Sequence, residues 1–326
     1  MKFDDKIYVA GHHGLAGSAL VRRLRASGFF NLVTRTHAEL ELTDGAAVSR
    51  FFAAERPDYV FLAAAKVGGI IANNSFPAEF ISQNLSIQNN VIAEAQRHGV
   101  KNLIFLGSSC IYPRDCSQPI SESSFLTGPI EHTSRAYAVA KIAGVEQCWA
   151  VNRQYGTRYI VAMPASIFGP GDNYDPRGSH VLPALIRKTH EARIRGDRHV
   201  TVWGTGTPRR ELLFSDDMAD ACIFLAGLSG ETYDDVFENG ALAPLVNVGS
   251  GFDLSIRELV ARVAAITGFV GDLVFDTNYP DGTPQKLLDS SRICRLGWGP
   301  ATSLDDGIRK AYADFLDRYF ENATEE

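Results

Sequence analysis

Tyr137 and Lys141 stand four residues apart in Tyr137-Ala138-Val139-Ala140-Lys141, a spacing that puts a phenol and an ammonium one turn apart on one helix face. A phenol titrates near pH 10, too high for proton traffic at neutral pH, and a neighbouring positive charge lowers it. A shift of about two to three units corresponds to about 3–4 kcal/mol of preferential stabilisation of the phenolate. Upstream, Phe105-Leu106-Gly107-Ser108-Ser109-Cys110-Ile111-Tyr112-Pro113 reads as a strand running into a turn. A hydroxyl at that strand end, Ser108, is placed to hydrogen-bond a substrate carbonyl beside the phenol, because open α/β sheets bind ligands at the carboxyl edge. The set is suited to moving a proton to or from a carbonyl oxygen.

Such residues need a scaffold. Gly11-His12-His13-Gly14-Leu15-Ala16-Gly17 follows a strand-like Ile7–Ala10 and opens a helical stretch, Gly14–Ser27. Glycine there permits a tight turn and close approach of a pyrophosphate to a helix N-terminus. The spacing is GxxGxxG. After the second strand comes Thr34-Arg35-Thr36-His37, with no carboxylate before Glu39 to hold a free ribose 2′-hydroxyl. Together with His12 and His13, Arg35 and His37 suit a 2′-phosphate, so the expected cofactor is NADP(H).

Further strand-like runs at Leu32–Arg35, Tyr59–Ala63, Leu103–Gly107 and Tyr159–Met163 alternate with helical patterns at Ala47–Glu55, Phe80–His98 and Ser134–Tyr155. That alternation predicts an α/β fold, a Rossmann-like doubly wound parallel sheet covered on both faces. Loop residues crowd 169–178 and 204–208, and helices are expected at Val181–Ile194, Asp216–Leu228, Ser255–Thr267 and Leu304–Tyr319. We read residues 1–170, with returns from about 212–250, as an NADP-binding Rossmann domain, and 171–326 as a smaller, less regular α/β substrate domain.

Composition narrows the class. The 326 residues carry 45% hydrophobic and 21% charged residues, as in a globular protein. A net charge of −6 argues against a general nucleic-acid partner. No long apolar run is available for a membrane span, and the polar start, Met1–Lys6, is not that of a signal peptide. Five cysteines without a CxxC indicate neither a disulfide framework nor a metal site, and a reducing, cytoplasmic setting is expected.

The glycine loop, the strand-end serine and Tyr-x-x-x-Lys, in that order, resemble the extended short-chain dehydrogenase/reductase family. Ala63-Ala64-Ala65-Lys66-Val67-Gly68-Gly69-Ile70, Gly107–Pro113, Val202–Glu211 and Pro280-Asp281-Gly282-Thr283-Pro284 are similar to the motifs of its branch of GDP-keto-sugar 3,5-epimerase/4-reductases, over essentially the whole chain. The resemblance implies conversion of GDP-4-keto-6-deoxy-D-mannose to GDP-L-fucose with NADPH, in a homodimer whose helices, that of Tyr137 included, pair across a two-fold. A C4 ketone acidifies the protons on C3 and C5, so epimerisation needs a base and an acid. By resemblance Cys110 is the base, His180 the acid, Ser108 and Tyr137 hold the carbonyl oxygen, and Lys141 holds the nicotinamide ribose and tunes Tyr137. Resemblance also places Leu106, Gly107, Pro164, Ile167 and His180 at the cofactor, and Lys188, Trp203, Arg210 and Asp281 at the GDP-sugar.

Charge agrees with that last set. Residues 177–210 carry Arg177, Arg187, Lys188, Arg193, Arg195, Arg198, Arg209 and Arg210 against Glu191 and Asp197, a local +6. Guanidinium pairs bidentately with phosphate oxygens. Arg193, Arg195 and Arg198 read as a solvated helix face, whereas Arg187, Lys188 and Arg210 suit a diphosphate. The chain departs from the resemblance at His13 and His37, where relatives commonly carry arginine, at Ala165-Ser166 after Pro164, where they tend to carry Thr-Asn, and at Gly171, where a histidine is common. A related GDP-4-keto deoxyhexose or heptose therefore remains open as substrate. A nucleotide-sugar 4-epimerase or 4,6-dehydratase is a further alternative, although Ser109-Cys110 stands where dehydratases usually place Asp-Glu. Outside enzymes, a degenerate NADP(H)-sensing relative would show a broken Ser–Tyr–Lys set.

Overall fold

The computed structural model describes residues 1–323 apart from Arg177 and Pro280. The strands are β1 (Ile7–Ala10), β2 (Leu32–Val33), β3 (Tyr59–Leu62), β4 (Asn102–Leu106), β5 (Arg158–Pro164), β6 (Ser166–Phe168), β7 (His199–Trp203), β8 (Arg209–Phe214), β9 (Leu245–Val248), β10 (Asp253–Ser255), β11 (Asp272–Asp276) and β12 (Gln285–Lys286). The helices are α1 (Leu15–Ala26), α2 (Gly45–Glu55), α3 (Ile70–Ser75), α4 (Pro77–Arg97), α5 (Arg135–Tyr155), α6 (Val181–Arg195), α7 (Ser215–Ala226), α8 (Gly230–Val236), α9 (Ile256–Thr267), α10 (Ser291–Arg295) and α11 (Leu304–Ala323).

A six-stranded parallel sheet in the order β2-β1-β3-β4-β5-β9 forms the frame. Its strands are short runs of β-branched and aromatic residues buried throughout (β1 and β9 in full), as a sheet covered by helices on both faces requires. The chain leaves β1 toward β2 and returns on the other side as β3. That reversal opens a crevice at the carboxyl ends of the strands. β2 is two residues long, against the four expected. Beyond Val33 the chain turns away, and Arg35 is drawn to Glu55 of α2 at 2.5 Å.

Beyond Phe168 the chain is more regular than its glycine and proline content suggested. β8 pairs antiparallel with β10 and parallel with β12 and β6, while β7 and β11 form a separate parallel pair. Each of these strands finds its partner tens of residues away, a pairing that local periodicity does not report. Phe168, Leu182, Leu212, Phe214, Leu259, Ile308 and Phe315 build a second core, distinct from the one around the six-stranded sheet. The chain crosses between the two. α7 packs back on α1 through Arg22–Asp216 at 2.6 Å and Arg23–Asp220 at 2.7 Å, and β9 closes the main sheet.

Candidate active site

A cleft of about 1080 Å³ runs along the carboxyl edge of the main sheet, large enough for a dinucleotide and part of a second ligand. Its floor is the first glycine turn. Gly11 adopts φ +83°, and a Cβ there would lie 2.7 Å from the Ala64 backbone; one on Gly17 would lie 2.1 Å from the Gly11 carbonyl oxygen. Gly14 caps α1 with open space in front of it, only the Gly11 oxygen being within 4 Å of an added Cβ. Nδ1 of His12 is buried with no hydrogen-bond partner among the described residues. A glycine cradle, a helix N-terminus and an unsatisfied imidazole fit an anionic dinucleotide.

Gly11, Gly14, Leu15, Ala16, Gly17, Arg35, His37, Gly107, Ser108, Tyr137, Pro164, Ile167 and His180 all line this cleft. At the end of the cleft that carries Arg35 and His37 the basic groups are engaged. Arg35 pairs with Glu55 and lies 5.6 Å from the Phe51 ring centre; His37 pairs with Glu41 at 2.6 Å. The His12 and His13 rings are 4.0 Å apart, and burial together with that neighbour lowers the His12 titration below its ordinary value.

The reactive end is built by close packing. A Cβ on Gly107 would lie 2.1 Å from the Met163 sulfur, and one on Gly144 of α5 would lie 2.4 Å from the Phe105 ring. These two glycines let the β4 end and α5 approach, which brings Tyr137 and Lys141 to Ser108. Gln88 of α4 fixes the helix further by donating to the Ala140 carbonyl at 2.8 Å. Buried Lys141 donates from Nζ to the carbonyl of Leu106, the last residue of β4, at 2.7 Å, and sits 4.4 Å from the Phe105 ring centre. Desolvation pushes its ammonium down to about 8.

One expectation is corrected here. Tyr137 was expected to be lowered by Lys141, yet the phenol is pushed up, by burial first and then by the neighbouring Cys110. The ammonium lies 5.8 Å from the Tyr137 ring centre and is spent on the Leu106 carbonyl. Ser108, beside the phenol on the cleft wall, is the group that opposes the rise. The same serine also acts against the rise of the Cys110 thiol, so it lies beside both acids.

Cys110 follows Ser109 in a short 3-10 turn and is 8% exposed, beneath the cleft wall. Burial pushes its thiol up, and the first charge acting against that is Lys286. Sequence reasoning missed Lys286. It stands two residues beyond the quoted Pro280–Pro284 run, a lone cation whose significance depends on pairing across the fold. β12 sets Lys286 beside Arg210 of β8, while Leu288 bridges to Ile120 and the Leu287 amide donates to Gln118 Oε1 at 2.9 Å. This strand lies between the loop that follows Cys110 and the basic strand β8. Lys286 is half-buried and makes no ion pair among the described residues, and desolvation lowers its titration.

His180 caps α6 through its backbone, and its imidazole opens onto the cleft that Ser108 and Tyr137 also line. Desolvation holds it below the ordinary histidine range. Once protonated, it gives the proton up readily. Asp172, a buried carboxyl on the same wall, is pushed up to about 7 by burial.

Lys188, Trp203, Arg210 and Asp281 are brought together outside the cofactor cleft. Lys188 Nζ lies 4.8 Å from the Trp203 ring centre and donates to the Thr201 carbonyl at 3.4 Å. Asp281 accepts from the Thr205 amide at 2.9 Å and the Thr205 hydroxyl at 2.7 Å. Arg210 donates through Nη1 to the Thr283 carbonyl at 2.6 Å and the Arg209 carbonyl at 2.7 Å. The basic segment thereby sorts itself. Arg187, Arg195 and Arg209 pair with Glu191, Asp197 and Asp253, whereas Lys188 and Arg210 form no ion pair among the described residues. Arg177 lies outside the described residues, as does Pro280 of the Pro280–Pro284 run.

A doubly wound sheet with a glycine-floored dinucleotide cleft and a Ser–Tyr–Lys set at its edge defines a nucleotide-dependent enzyme of the extended short-chain dehydrogenase/reductase type. The chain belongs to the NAD dependent epimerase/dehydratase family, whose profile matches residues 7–236. It is 54% identical over 312 residues to the putative GDP-L-fucose synthase 2 of Arabidopsis thaliana, covering 96% of this chain and 92% of that one. It is 49% identical over 314 residues to the GDP-L-fucose synthase of Escherichia coli, covering 96% and 97%. Among solved structures, a GDP-D-glycero-L-gluco-heptose synthase of Campylobacter jejuni determined in the presence of NADPH matches with a TM-score of 0.88 at 37% identity, covering 97% and 99%.

Proposed function

We propose that this chain is an NADPH-dependent 3,5-epimerase/4-reductase converting GDP-4-keto-6-deoxy-D-mannose to GDP-L-fucose. One observation carries the reading: a thiol and a phenol flank Ser108 at the edge of a dinucleotide cleft, with the half-buried cation of Lys286 acting on the thiol. A plain reductase needs the phenol and the serine; the thiol base is the addition that an epimerase needs.

Gly11, Gly14, Gly17, His12 and Lys141 fit NADP(H), which when bound supplies a hydride to C4. His13, Arg35 and His37 serve its 2′-phosphate, and Leu106, Gly107, Pro164 and Ile167 border its nicotinamide half. In the epimerase half the Cys110 thiolate removes the proton from C3 and then C5, and His180 returns one on the other face. Electron density moves onto the C4 oxygen, where the Ser108 and Tyr137 hydroxyls stabilise the enolate, usually the largest barrier-lowering contribution of such sites. In the reductive half Tyr137 gives its proton to the C4 oxygen while Lys141 is placed to hold the nicotinamide ribose. Lys188, Trp203, Arg210 and Asp281 hold the GDP moiety. From the His180 cap of α6 to Lys188 is about 12 Å along the helix axis at 1.5 Å per residue, a span that suits a hexose followed by a diphosphate.

The same reading divides the chain into a Rossmann domain of 1–170 with returns from about 212–250 and a substrate domain of mainly 171–326. A homodimer and a cytoplasmic setting belong to it as well. A heptose substrate has one feature in its favour: Ala165 and Ser166 of the cleft wall are small, and Gly171, which also lines the cleft, carries no side chain. The test is incubation with GDP-4-keto-6-deoxy-mannose and NADPH, with the product followed by NMR. Cys110→Ser and His180→Gln should abolish solvent exchange at C3 and C5 while an already epimerised ketone is still reduced. NADPH consumption without inversion at either centre would reject the epimerase half.

A further inference from the structure

Two large aromatic side chains face each other at the far end of the substrate arm. Trp203 and Tyr279 stack with ring centres 4.3 Å apart and planes 9° from parallel, yet they are 50% and 43% exposed. Apolar rings left half in solvent usually close over a core; this pair instead forms a flat exposed ledge. The backbone holds it there. Trp203 ends β7 opposite Asp276 of β11, and the Asp276 carbonyl accepts both the Gly204 amide at 2.9 Å and the Tyr279 amide at 3.4 Å. Asn278 closes the turn by donating to the Asp276 carboxylate, and two residues past Tyr279 the Asp281 carboxylate grips Thr205. The segment carrying Tyr279 is thus tied on both sides to the turn carrying Trp203. With Tyr279 on one indole face, the Lys188 ammonium occupies the other, 4.8 Å from the ring centre.

We infer that Tyr279 is a specificity-determining residue: it backs the Trp203 indole so that the opposite face receives the purine base of a nucleoside diphosphate, with Lys188 moving from that face to the diphosphate. This rests on the nucleotide-sugar reading above. Position along the arm favours the base over the sugar, since His180 marks the reacting end and Lys188, eight residues further along α6, already sits against the Trp203 ring. A base stacks well on a flat ring and a diphosphate attracts an ammonium, so one ligand replaces both contacts that Lys188 now makes.

The test is calorimetric titration of the full chain with GDP, UDP and inorganic pyrophosphate, for the unaltered protein and for Tyr279→Ala, Tyr279→Leu and Tyr279→Phe. Tyr279→Ala and Tyr279→Leu should each weaken GDP about tenfold, in the range of one lost aromatic stack, and narrow the preference for GDP over UDP. Pyrophosphate and NADP⁺ affinities should stay within about twofold, the latter reporting an intact fold, and Tyr279→Phe should restore GDP binding. In turnover the loss should fall on KM for the nucleotide-sugar rather than on kcat. Unchanged GDP affinity in both the alanine and leucine variants overturns the inference and leaves the nucleotide-sugar reading standing. An unaltered chain that binds NADP⁺ but not GDP overturns both.

Discussion

The reactive end and the substrate arm are both rich in desolvated charged and polar groups, but they engage them differently. At the reactive end, Cys110 and Lys141 are buried and Tyr137 and Lys286 half-buried, and desolvation moves each toward its neutral form: the phenol and the thiol up, the ammonium groups down. In the arm, Arg210, Asp281 and Lys188 are satisfied by ordinary hydrogen bonds to Thr283, Thr205 and Thr201. The first region stores reactivity as suppressed charge. The second stores recognition as contacts that a ligand must exchange or share. Lys286 stands where they meet, its charge felt by Cys110 on one side and by Arg210 on the other.

Breaking the reactive end should produce the largest effect. Tyr137→Phe keeps the ring and removes the proton donor for the C4 oxygen, so reduction should slow by about 10²–10⁴-fold, the range for losing a positioned general acid. Exchange at C3 and C5 should fall less, because Ser108 still donates to the enolate. Stopped-flow NADPH oxidation set against deuterium incorporation measures both. Equal losses in the two assays would mean that the phenol does not serve the reductive half preferentially.

Next comes the junction. A cation beside a thiol favours the thiolate, so Lys286→Met should raise the Cys110 pKa; each unit of rise costs tenfold in thiolate at a pH below it. Exchange at C3 and C5 should drop by about 10–100-fold at neutral pH, with its rising limb displaced to higher pH. Lys286→Arg should recover much of the rate. Iodoacetamide labelling of Cys110 against pH gives the same titration without turnover, and an unmoved labelling curve would remove Lys286 from the base.

The arm should respond in KM. Arg210 holds its guanidinium through Nη1, and a Cβ on Gly282 would sit 3.0 Å from Nη2, so the side chain is clamped with its second nitrogen beside an open glycine turn. Lysine cannot reproduce that fork. Arg210→Lys should raise KM for the GDP-sugar about tenfold, the scale of one charge-assisted hydrogen bond, with kcat changed by no more than about threefold. A loss confined to kcat would transfer Arg210 from the arm to the reactive end.

The contrast also explains what a reader of the sequence could and could not find. The β1–glycine–α1 unit and the Tyr137 helix are local. Strand, turn and helix signals lie within one short window, and α5 begins within a residue of expectation. Ser108 is legible for the same reason. Lys286 is not, because β12 is two residues long and gains its meaning from Arg210 and Cys110, both far away in the chain. The Trp203–Tyr279 ledge likewise exists only after β7 and β11 pair. α4 starts at Pro77 rather than near Phe80, since proline at the first helical turn gives up an amide that had no partner there. The depressed phenol expected from Tyr-x-x-x-Lys was wrong in sign because spacing reports proximity and is silent on burial, which acts first, and on what the lysine bonds to.

The smallest effect should come from the cofactor end, where the basic groups are histidines and an already paired arginine. His12 titrates below its ordinary value because burial and His13 disfavour its charge, with Glu39 and the Arg35 backbone acting the other way. At pH 7.5 it is therefore neutral, and Arg35 is held by Glu55. A 2′-phosphate reverses the balance at His12 by favouring the protonated ring. Lowering the pH from 7.5 to 6 should thus strengthen NADP⁺ binding about threefold to tenfold relative to NAD⁺, each pKa unit being worth tenfold in that ratio. NAD⁺, which has no 2′-phosphate, supplies the internal control. His12→Gln should flatten the dependence, while Glu55→Gln, by freeing Arg35, should raise NADP⁺ affinity at both pH values. A pH-independent NADP⁺/NAD⁺ ratio, together with a gain in Glu55→Gln, would make Arg35 the sole cationic contact and remove the histidine pair from 2′-phosphate recognition.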